Sequence, residues 1–327
     1  MAFKRTASKR SAPSSRRARR GPPTAPAQPE QVGLAAAIYT DRVLVWSDGE
    51  ERVCTLRGKF KRETAPVVGD RVRFLVNPDG TGTIVALEER TTTLIRRAAE
   101  GGAGTRAPRA QVLAANVEQQ VIVAALREPP FRPGLVERFL VAGAVAGLTP
   151  LICLTKLDLD RGGEFDRVAA PYRKLGISLV GTSVTEPATL RPLARALAGK
   201  TSVLVGHSGV GKTSLLNALV QQEMAVRSTG GKVGRGRHTT STARLIPLLE
   251  GGFAIDSPGV REFGLHGITP AELATHYPEF RPYLNGCGFR DCLHRTEPRC
   301  AVREAVESGD LTPARYDAYL KLLEELE

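Results

Sequence analysis

From residue 33 onward the chain switches between apolar and polar positions in short bursts. Residues 36–39, 42–46, 52–56, 70–76 and 82–87 each read as a β-strand, and the turn formers Ser47-Asp48-Gly49 and Asn77-Pro78-Asp79-Gly80 separate them. So many short strands in so little chain predict a small closed barrel. An OB-fold is the economical choice and an SH3-like barrel fits nearly as well. Residues 98–110 are rich in Gly, Ala and Arg and read as a linker. Beyond it the strands become almost continuously apolar, at 120–126, 150–155, 177–182, 202–206, 244–249 and 253–256. Helical runs at 135–146, 164–175, 190–197 and 212–222 lie between several of them. That alternation predicts a doubly wound, mostly parallel sheet covered on both faces. The C-terminal part is helical and cysteine-bearing. Thr269-Pro270 and Thr312-Pro313 each offer an N-cap followed by proline at the first helical position. Tyr316, Tyr319, Leu320 and Leu323 recur at helical spacing and read as a packed face.

Length and charge extend this picture. A chain of 327 residues suits two or three domains. Lys and Arg number 46 against 34 Asp and Glu, a net charge of +12. Lys4, Arg5, Lys9, Arg10, Arg16, Arg17, Arg19 and Arg20 precede residue 30 and no acid accompanies them. This opening tail of Arg, Ser, Ala and Pro has little to bury and reads as disordered. Its charge suits a polyanion such as nucleic acid, with a merely solubilising tail as the other reading. Arg57, Lys59, Lys61 and Arg62 give one barrel loop the same sign. No apolar run approaches the roughly 20 residues of a membrane span, and no apolar segment follows the first charges as in a secretory signal. A cytoplasmic protein without membrane contact is expected. The 5 cysteines, an odd and low count, argue against a disulfide scaffold.

The densest chemistry is Gly206-His207-Ser208-Gly209-Val210-Gly211-Lys212-Thr213, which fits G-x-x-x-x-G-K-[ST] between an apolar strand and a helical run beginning at Ser214. Such a loop turns successive N–H groups toward phosphate oxygens, and the helix that follows adds its positive end. Lys212 would reach the β- and γ-phosphates and Thr213 would offer a hydroxyl to Mg²⁺. Phe253-Ala254-Ile255-Asp256-Ser257-Pro258-Gly259 then reads as a strand ending in D-x-x-G. Asp256 is suited to Mg²⁺ through water, and the Gly259 N–H to a γ-phosphate. Between the two motifs, residues 227–244 are poor in apolar side chains and suit a loop that orders around nucleotide, or simply a flexible surface loop. Thr239 or Thr240 would supply a second hydroxyl to Mg²⁺.

Thr155-Lys156-Leu157-Asp158 follows another apolar strand as T-K-x-D. A carboxylate there accepts two hydrogen bonds from guanine, N1–H and the 2-amino group, and adenine leaves it unpaired at a cost of several kcal/mol. Lys156 would lay its stem along the base. Thr182-Ser183-Val184 reads as the loop whose backbone contacts the guanine oxygen. Near the C-terminus, Cys287-x4-Cys292-x-His294-x5-Cys300 sets three thiolates and an imidazole within a short stretch. That is a closed tetrahedral Zn²⁺ site with no position for water, so its role is structural. The surrounding Asn285-Gly286-Cys287-Gly288-Phe289-Arg290-Asp291 has too few apolar residues to hold itself, and metal would supply the missing folding energy. Cys54 and Cys153 lie in apolar strands as core thiols.

The order of these motifs is informative. Base elements at 155–158 and 182–184 precede phosphate elements at 206–213 and 256–259, the reverse of ordinary P-loop GTPases. In this order, and in Arg57-Gly58-Lys59-Phe60-Lys61, Val67-Val68-Gly69-Asp70, the strand Ala115-Asn116-Val117-Glu118-Gln119-Gln120, Gly236-Arg237-His238-Thr239-Thr240 and Asp256-Ser257-Pro258-Gly259-Val260-Arg261-Glu262-Phe263, the chain resembles the circularly permuted, small-ribosomal-subunit-dependent GTPase family RsgA (YjeQ). Two positions depart from that family: Thr155 replaces the Asn of N-K-x-D, and His207 stands where Gln or Asn is common. The resemblance implies a multidomain fold, an OB-fold β-barrel plus a circularly permuted α/β P-loop GTPase domain plus a small α-helical zinc-binding domain. The expected boundaries are a disordered basic tail at 1–31, the barrel at 32–97, the GTPase domain at 98–264 and the zinc-binding domain at 265–327.

It further implies one structural Zn²⁺, Mg²⁺ with GTP, GTP and GDP as ligands, and the small ribosomal subunit with its rRNA as partner of a monomer. Val260 occupies the place of the glutamine that orients water in Ras-like enzymes. Hydrolysis is therefore expected to be slow alone and stimulated by the subunit. His238 is the candidate for positioning water, or else contacts RNA or nothing. Contact of Gly259 with the γ-phosphate would shift the zinc domain against the barrel, so that RNA is held in the GTP state and released after hydrolysis. A P-loop ATPase or kinase, and a constitutive RNA-binding protein with a structural nucleotide site, remain as alternatives.

Overall fold

The structure, a computed structural model, describes residues 29–56, 65–97, 110–227, 243–248, 250–256 and 268–327. The tail, the basic loop at 57–62, the loop bearing His238, Thr239 and Thr240, and Gly259 with Val260 lie outside the described residues.

Strands β1 (Gln31–Ile38), β2 (Val43–Ser47), β3 (Glu50–Leu56), β4 (Arg71–Val76) and β5 (Gly82–Leu87) realise the first alternation. Their inward residues Ala35, Val43, Val45, Cys54, Val72, Phe74 and Ile84 form one buried cluster. Asp48 and Gly49, at φ 52 and 86, make the two-residue turn between β2 and β3, where both central residues need positive φ. β1 pairs with β2 and β4, β4 with β5, and β5 runs parallel to β3, so the order 1-2-3-5-4 closes on itself. This closed five-strand arrangement is the OB-type barrel, and closure leaves little free edge to pair with other chains.

A hairpin of β6 (Thr93–Arg97) and β7 (Ala110–Ala115) follows. The sequence suggests one strand through residues 115–120, but the chain turns at Asn116, whose φ is 56. The Asn116 side chain accepts the Thr91 N–H at 2.9 Å and donates to the Gly69 carbonyl at 2.9 Å, which ties the hairpin to the barrel. A side chain satisfied on both sides in this way fixes a turn where apolar neighbours alone would extend.

The chain then alternates through β8 (Gln119–Ala125), α1 (Pro133–Val145), β9 (Thr149–Thr155), α2 (Glu164–Lys174), β10 (Ser178–Gly181), α3 (Arg191–Leu197), β11 (Thr201–Val205), α4 (Lys212–Arg227), β12 (Arg244–Pro247) and β13 (Phe253–Asp256). The sheet order is β10-β9-β8-β11-β13-β12, parallel except for β12. Every residue of β8 is buried. Val121, Val123 and Ala125 face one core with Leu193 and Leu215, while Ile122 and Ala124 face the other with Val136 and Phe139. Burial on both faces explains the continuous apolar runs. At its far edge β12 also pairs with β1 through Ala37 and Arg244, so barrel and sheet are continuous, and Arg244 reaches the Glu51 carboxylate at 2.9 and 3.0 Å.

Helices α5 (Pro270–Leu273), α6 (Arg281–Leu284), α7 (Ala301–Ser308) and α8 (Pro313–Leu326) complete the fold. The Glu272 carboxylate accepts the Thr269 N–H at 2.8 Å, the return half of a capping box at the predicted start of α5. Tyr277, Phe280 and Tyr319 pack ring on ring with centroids 4.9 to 5.5 Å apart, in the same core as Val136 and Phe139 of α1. Among the described residues no helix is long and apolar enough to cross a membrane.

Candidate nucleotide site and metal centre

β11 and β13 run parallel and side by side, so Gly206 and Asp256 emerge at the same edge of the sheet. At Gly206 the backbone passes so close to β8 that a Cβ would sit 2.2 Å from the Val123 carbonyl oxygen. Only glycine fits there. Gly211 adopts φ 93, which side chains rarely tolerate, immediately before α4 begins at Lys212. Val210 is buried and pins the loop between them. The Lys212 amine donates to the carbonyls of Gly206 at 2.6 Å and His207 at 2.8 Å, so it lies across the mouth of the loop. Nδ1 of His207 lies 2.6 Å from the Ser208 carbonyl. Thr213 and Ser214 are exposed on the first turn of α4, and Gly209 and Ser208 on the loop. These residues form a concave backbone at a helix N-terminus, an arrangement that receives anions.

Thr155 ends β9, the second strand from β11, and is buried. Its hydroxyl donates to the Val210 carbonyl at 2.6 Å. Two stretches read separately in the sequence are therefore hydrogen-bonded to each other. Lys156 adopts φ 60, and its amine donates to the Glu128 carbonyl. The Leu157 N–H reaches the Thr182 carbonyl at 3.1 Å, bringing the two base loops together. Ser183 is buried, and its hydroxyl donates to Asp158 Oδ1 at 2.5 Å. Its N–H in turn donates to Thr189 Oγ1 at 2.8 Å. The exposed Asp158 carboxylate is thus held at one oxygen by a side chain that is itself fixed.

Residues 126–132 were not legible as part of this site. They leave β8, cross the phosphate loop and enter α1. Glu128 supplies the carbonyl that takes the Lys156 amine, and Pro129 Cδ lies 3.9 Å from where a Gly209 Cβ would stand. Arg127 anchors the strap to Glu164 of α2 by two 2.5 Å contacts. Pro129-Pro130 marks a loop in the sequence, but no spacing links it to residues 156 or 209.

The ligand atoms of Cys287, Cys292, His294 and Cys300 all lie within 4.8 Å of one another. Nδ1 of His294 is the inward nitrogen, 3.5 Å from Cys287 Sγ and 3.4 Å from Cys300 Sγ. Tyr316 and Tyr319 of α8 donate to the His294 and Leu293 carbonyls at 2.6 and 2.7 Å. The face read as mere packing therefore also holds the metal-binding loop. The Glu297 carboxylate accepts N–H groups of Leu293, Arg295 and Thr296 at 2.8 to 3.0 Å and shapes the turn. Burial pushes the Cys292 thiol up to about 12 and the His294 imidazole below its usual range. Three sulfurs and one imidazole gathered this closely fit one metal ion in a closed tetrahedron, and a bound cation would take the place of the thiol protons.

The family model for the RsgA GTPase matches residues 87–266. A protein of Chromohalobacter salexigens named small ribosomal subunit biogenesis GTPase RsgA is 38% identical over 91% of this chain and 87% of its own length. A protein of the same name from Geobacillus thermodenitrificans is 39% identical over 86% of this chain and 92% of its own. The crystal structure of YjeQ from Thermotoga maritima aligns with TM-score 0.74 and 31% identity, covering 91% of this chain and 98% of that one. YloQ, described as a circularly permuted GTPase, aligns with TM-score 0.71 and 31% identity over 91% and 95%. With its T-K-x-D stretch ahead of the G-x-x-x-x-G-K-T loop and the two hydrogen-bonded in one fold, the chain belongs to the RsgA GTPase family.

Proposed function

We propose that this protein hydrolyses GTP to GDP and phosphate and acts in assembly of the small ribosomal subunit, whose rRNA it binds in a nucleotide-dependent way. One observation supports the nucleotide half of the reading: the bond from Thr155 to the Val210 carbonyl, which holds residues 155–158 against the 206–213 loop. The names of the relatives carry the ribosomal half.

In this reading residues 206–214 cradle the phosphates, Lys212 moves from the loop carbonyls to phosphate oxygens, and Asp158 selects guanine. Lys156 and Leu157 line the base, and Ser183 both orients Asp158 and offers its backbone. Thr213 and Asp256, the latter through water, hold Mg²⁺, with Thr240 as a further ligand and Gly259 at the γ-phosphate. The bound Mg²⁺ neutralises phosphate charge. His238 positions water, Val260 leaves intrinsic turnover slow, and the subunit accelerates it. A structural Zn²⁺ fills the cysteine–histidine cluster. The protein works as a cytoplasmic monomer.

Turnover measured with and without small subunits tests this directly. Subunits should raise the rate, Lys212→Ala should abolish it, and Asp158→Asn should shift preference from guanosine to xanthosine triphosphate. Equal competition by ATP would sink the base assignment.

A further inference from the structure

Phe289 is 44% exposed, the one phenylalanine so exposed among the described residues. The loop that carries it is held by backbone hydrogen bonds on both sides. The Gly288 N–H donates to the Arg299 carbonyl at 2.8 Å, and the Gly286 N–H to the Tyr283 carbonyl at 2.9 Å. A Cβ at Gly286 would stand 3.0 Å from Ala301 Cβ, so the loop lies flat on the start of α7. Cys287 and Cys292, both in the metal-binding cluster, flank it.

Its exposed neighbours are charged rather than apolar: two arginines and one acid, Asp291. Arg290 and Arg299 are exposed. Arg299 Nε lies 3.3 Å from where a Gly288 Cβ would be, so the absence of a side chain at 288 lets the guanidinium lie beside the aromatic ring's own loop. The nearby acid Glu297 is turned onto backbone N–H groups. A protein partner docking by apolar contact needs a contiguous apolar patch, and Gly288, Arg290 and Asp291 supply none. An exposed aromatic ring on a loop held by backbone bonds, with two exposed arginines on or beside that loop, matches an unpaired nucleotide instead: the base stacks and the phosphates meet the cations.

We propose that the metal-binding loop presents Phe289 as a stacking platform for an unpaired base of RNA, with Arg290 and Arg299 as its phosphate contacts. This rests on the RNA-binding reading above and adds the residues that carry it.

The test uses the full chain with its metal in place. Phe289→Ala should weaken binding to small subunits about 5- to 150-fold, the range of one lost base stack. Phe289→Trp should retain wild-type affinity, and Arg299→Ala should weaken binding and lower its salt dependence. Metal content and subunit-free GTP turnover should not change in any of them. In a separate arm, p-azidophenylalanine at position 289 should cross-link to rRNA when irradiated on the subunit. Wild-type affinity in Phe289→Ala, or cross-links only to ribosomal protein, would overturn the proposal. Failure of the wild-type chain to bind subunits at all would instead overturn the ribosomal reading itself.

Discussion

At the scale of single residues, Thr155 shows what a short side chain does in the place of a longer one. Its hydroxyl is buried and donates straight to the phosphate loop. Thr155→Val keeps the shape but leaves the Val210 carbonyl without that donor. Losing one partner of a buried hydrogen bond costs about 1–3 kcal/mol. We expect a lower midpoint in thermal unfolding and weaker binding of fluorescent GDP, with Thr155→Ser near wild type. Equal nucleotide affinity in Thr155→Val would mean that the two loops are held together by other contacts. The cysteines divide by environment in a similar way. Burial pushes Cys54 up to about 11 and Cys153 up to about 12, so both stay protonated at neutral pH, and a protonated thiol is a poor nucleophile. A thiol reagent at neutral pH should leave Cys54 and Cys153 unmodified in the folded protein, with or without chelator. It should reach the half-buried Cys287 once the metal is removed. Mass spectrometry of labelled peptides separates the sites, and labelling of Cys153 before unfolding would contradict this.

At the scale of elements, the sequence was legible wherever one local pattern decided one local structure. The period-two strands and the Asp48-Gly49 turn specify the barrel hairpins. The continuous apolar strands specify a sheet covered twice. The phosphate loop was legible because its chemistry and its conformation lie in eight consecutive residues, Gly206 to Thr213. What escaped depended on partners distant in sequence. The β6–β7 hairpin is fixed by Asn116 reaching back to Gly69, and the link between barrel and sheet by Ala37 meeting Arg244. The strap at 126–132 belongs to the site only because Lys156 and Gly209 come to it. The metal-binding loop sits between these cases: its ligand spacing was readable, whereas the tyrosines of α8 that hold it were not. Removing the metal should therefore act locally. Chelation, or Cys300→Ser, should raise hydrogen exchange across residues 285–300 and loosen the N-terminal turn of α7, while the strands β8, β9 and β11 stay protected. Unchanged exchange in that loop after chelation would show that the tyrosine and Glu297 bonds hold it without metal.

At the scale of the whole molecule, the C-terminal helices are fastened to the α/β region through α1. Arg315 of α8 is nearly buried and pairs with Glu137 of α1 and with Glu279, while its guanidinium lies 4.7 Å above the Tyr277 ring. A half-exposed pair, Arg138 with Glu325 at 2.7 Å, extends the seam. Helix α1 begins directly after the strap beside the 206–213 loop, so one helix borders both that loop's surroundings and the C-terminal helices. The energetics of the buried triad are asymmetric. Burying charges carries a desolvation penalty that their attraction roughly offsets, whereas removing one partner strands the others. Arg315→Ala leaves Glu137 and Glu279 facing each other in the core without a cation and should destabilise the seam by about 3–5 kcal/mol. Urea unfolding should then split, with the tyrosine fluorescence of α8 changing before the α/β sheet melts. Replacing all three charges together (Arg315→Met, Glu137→Leu, Glu279→Leu) removes the penalty with the attraction and should restore a single transition near the wild-type midpoint. If the triple variant were as unstable as Arg315→Ala, the loss would come from packing around Tyr277 rather than from stranded charge.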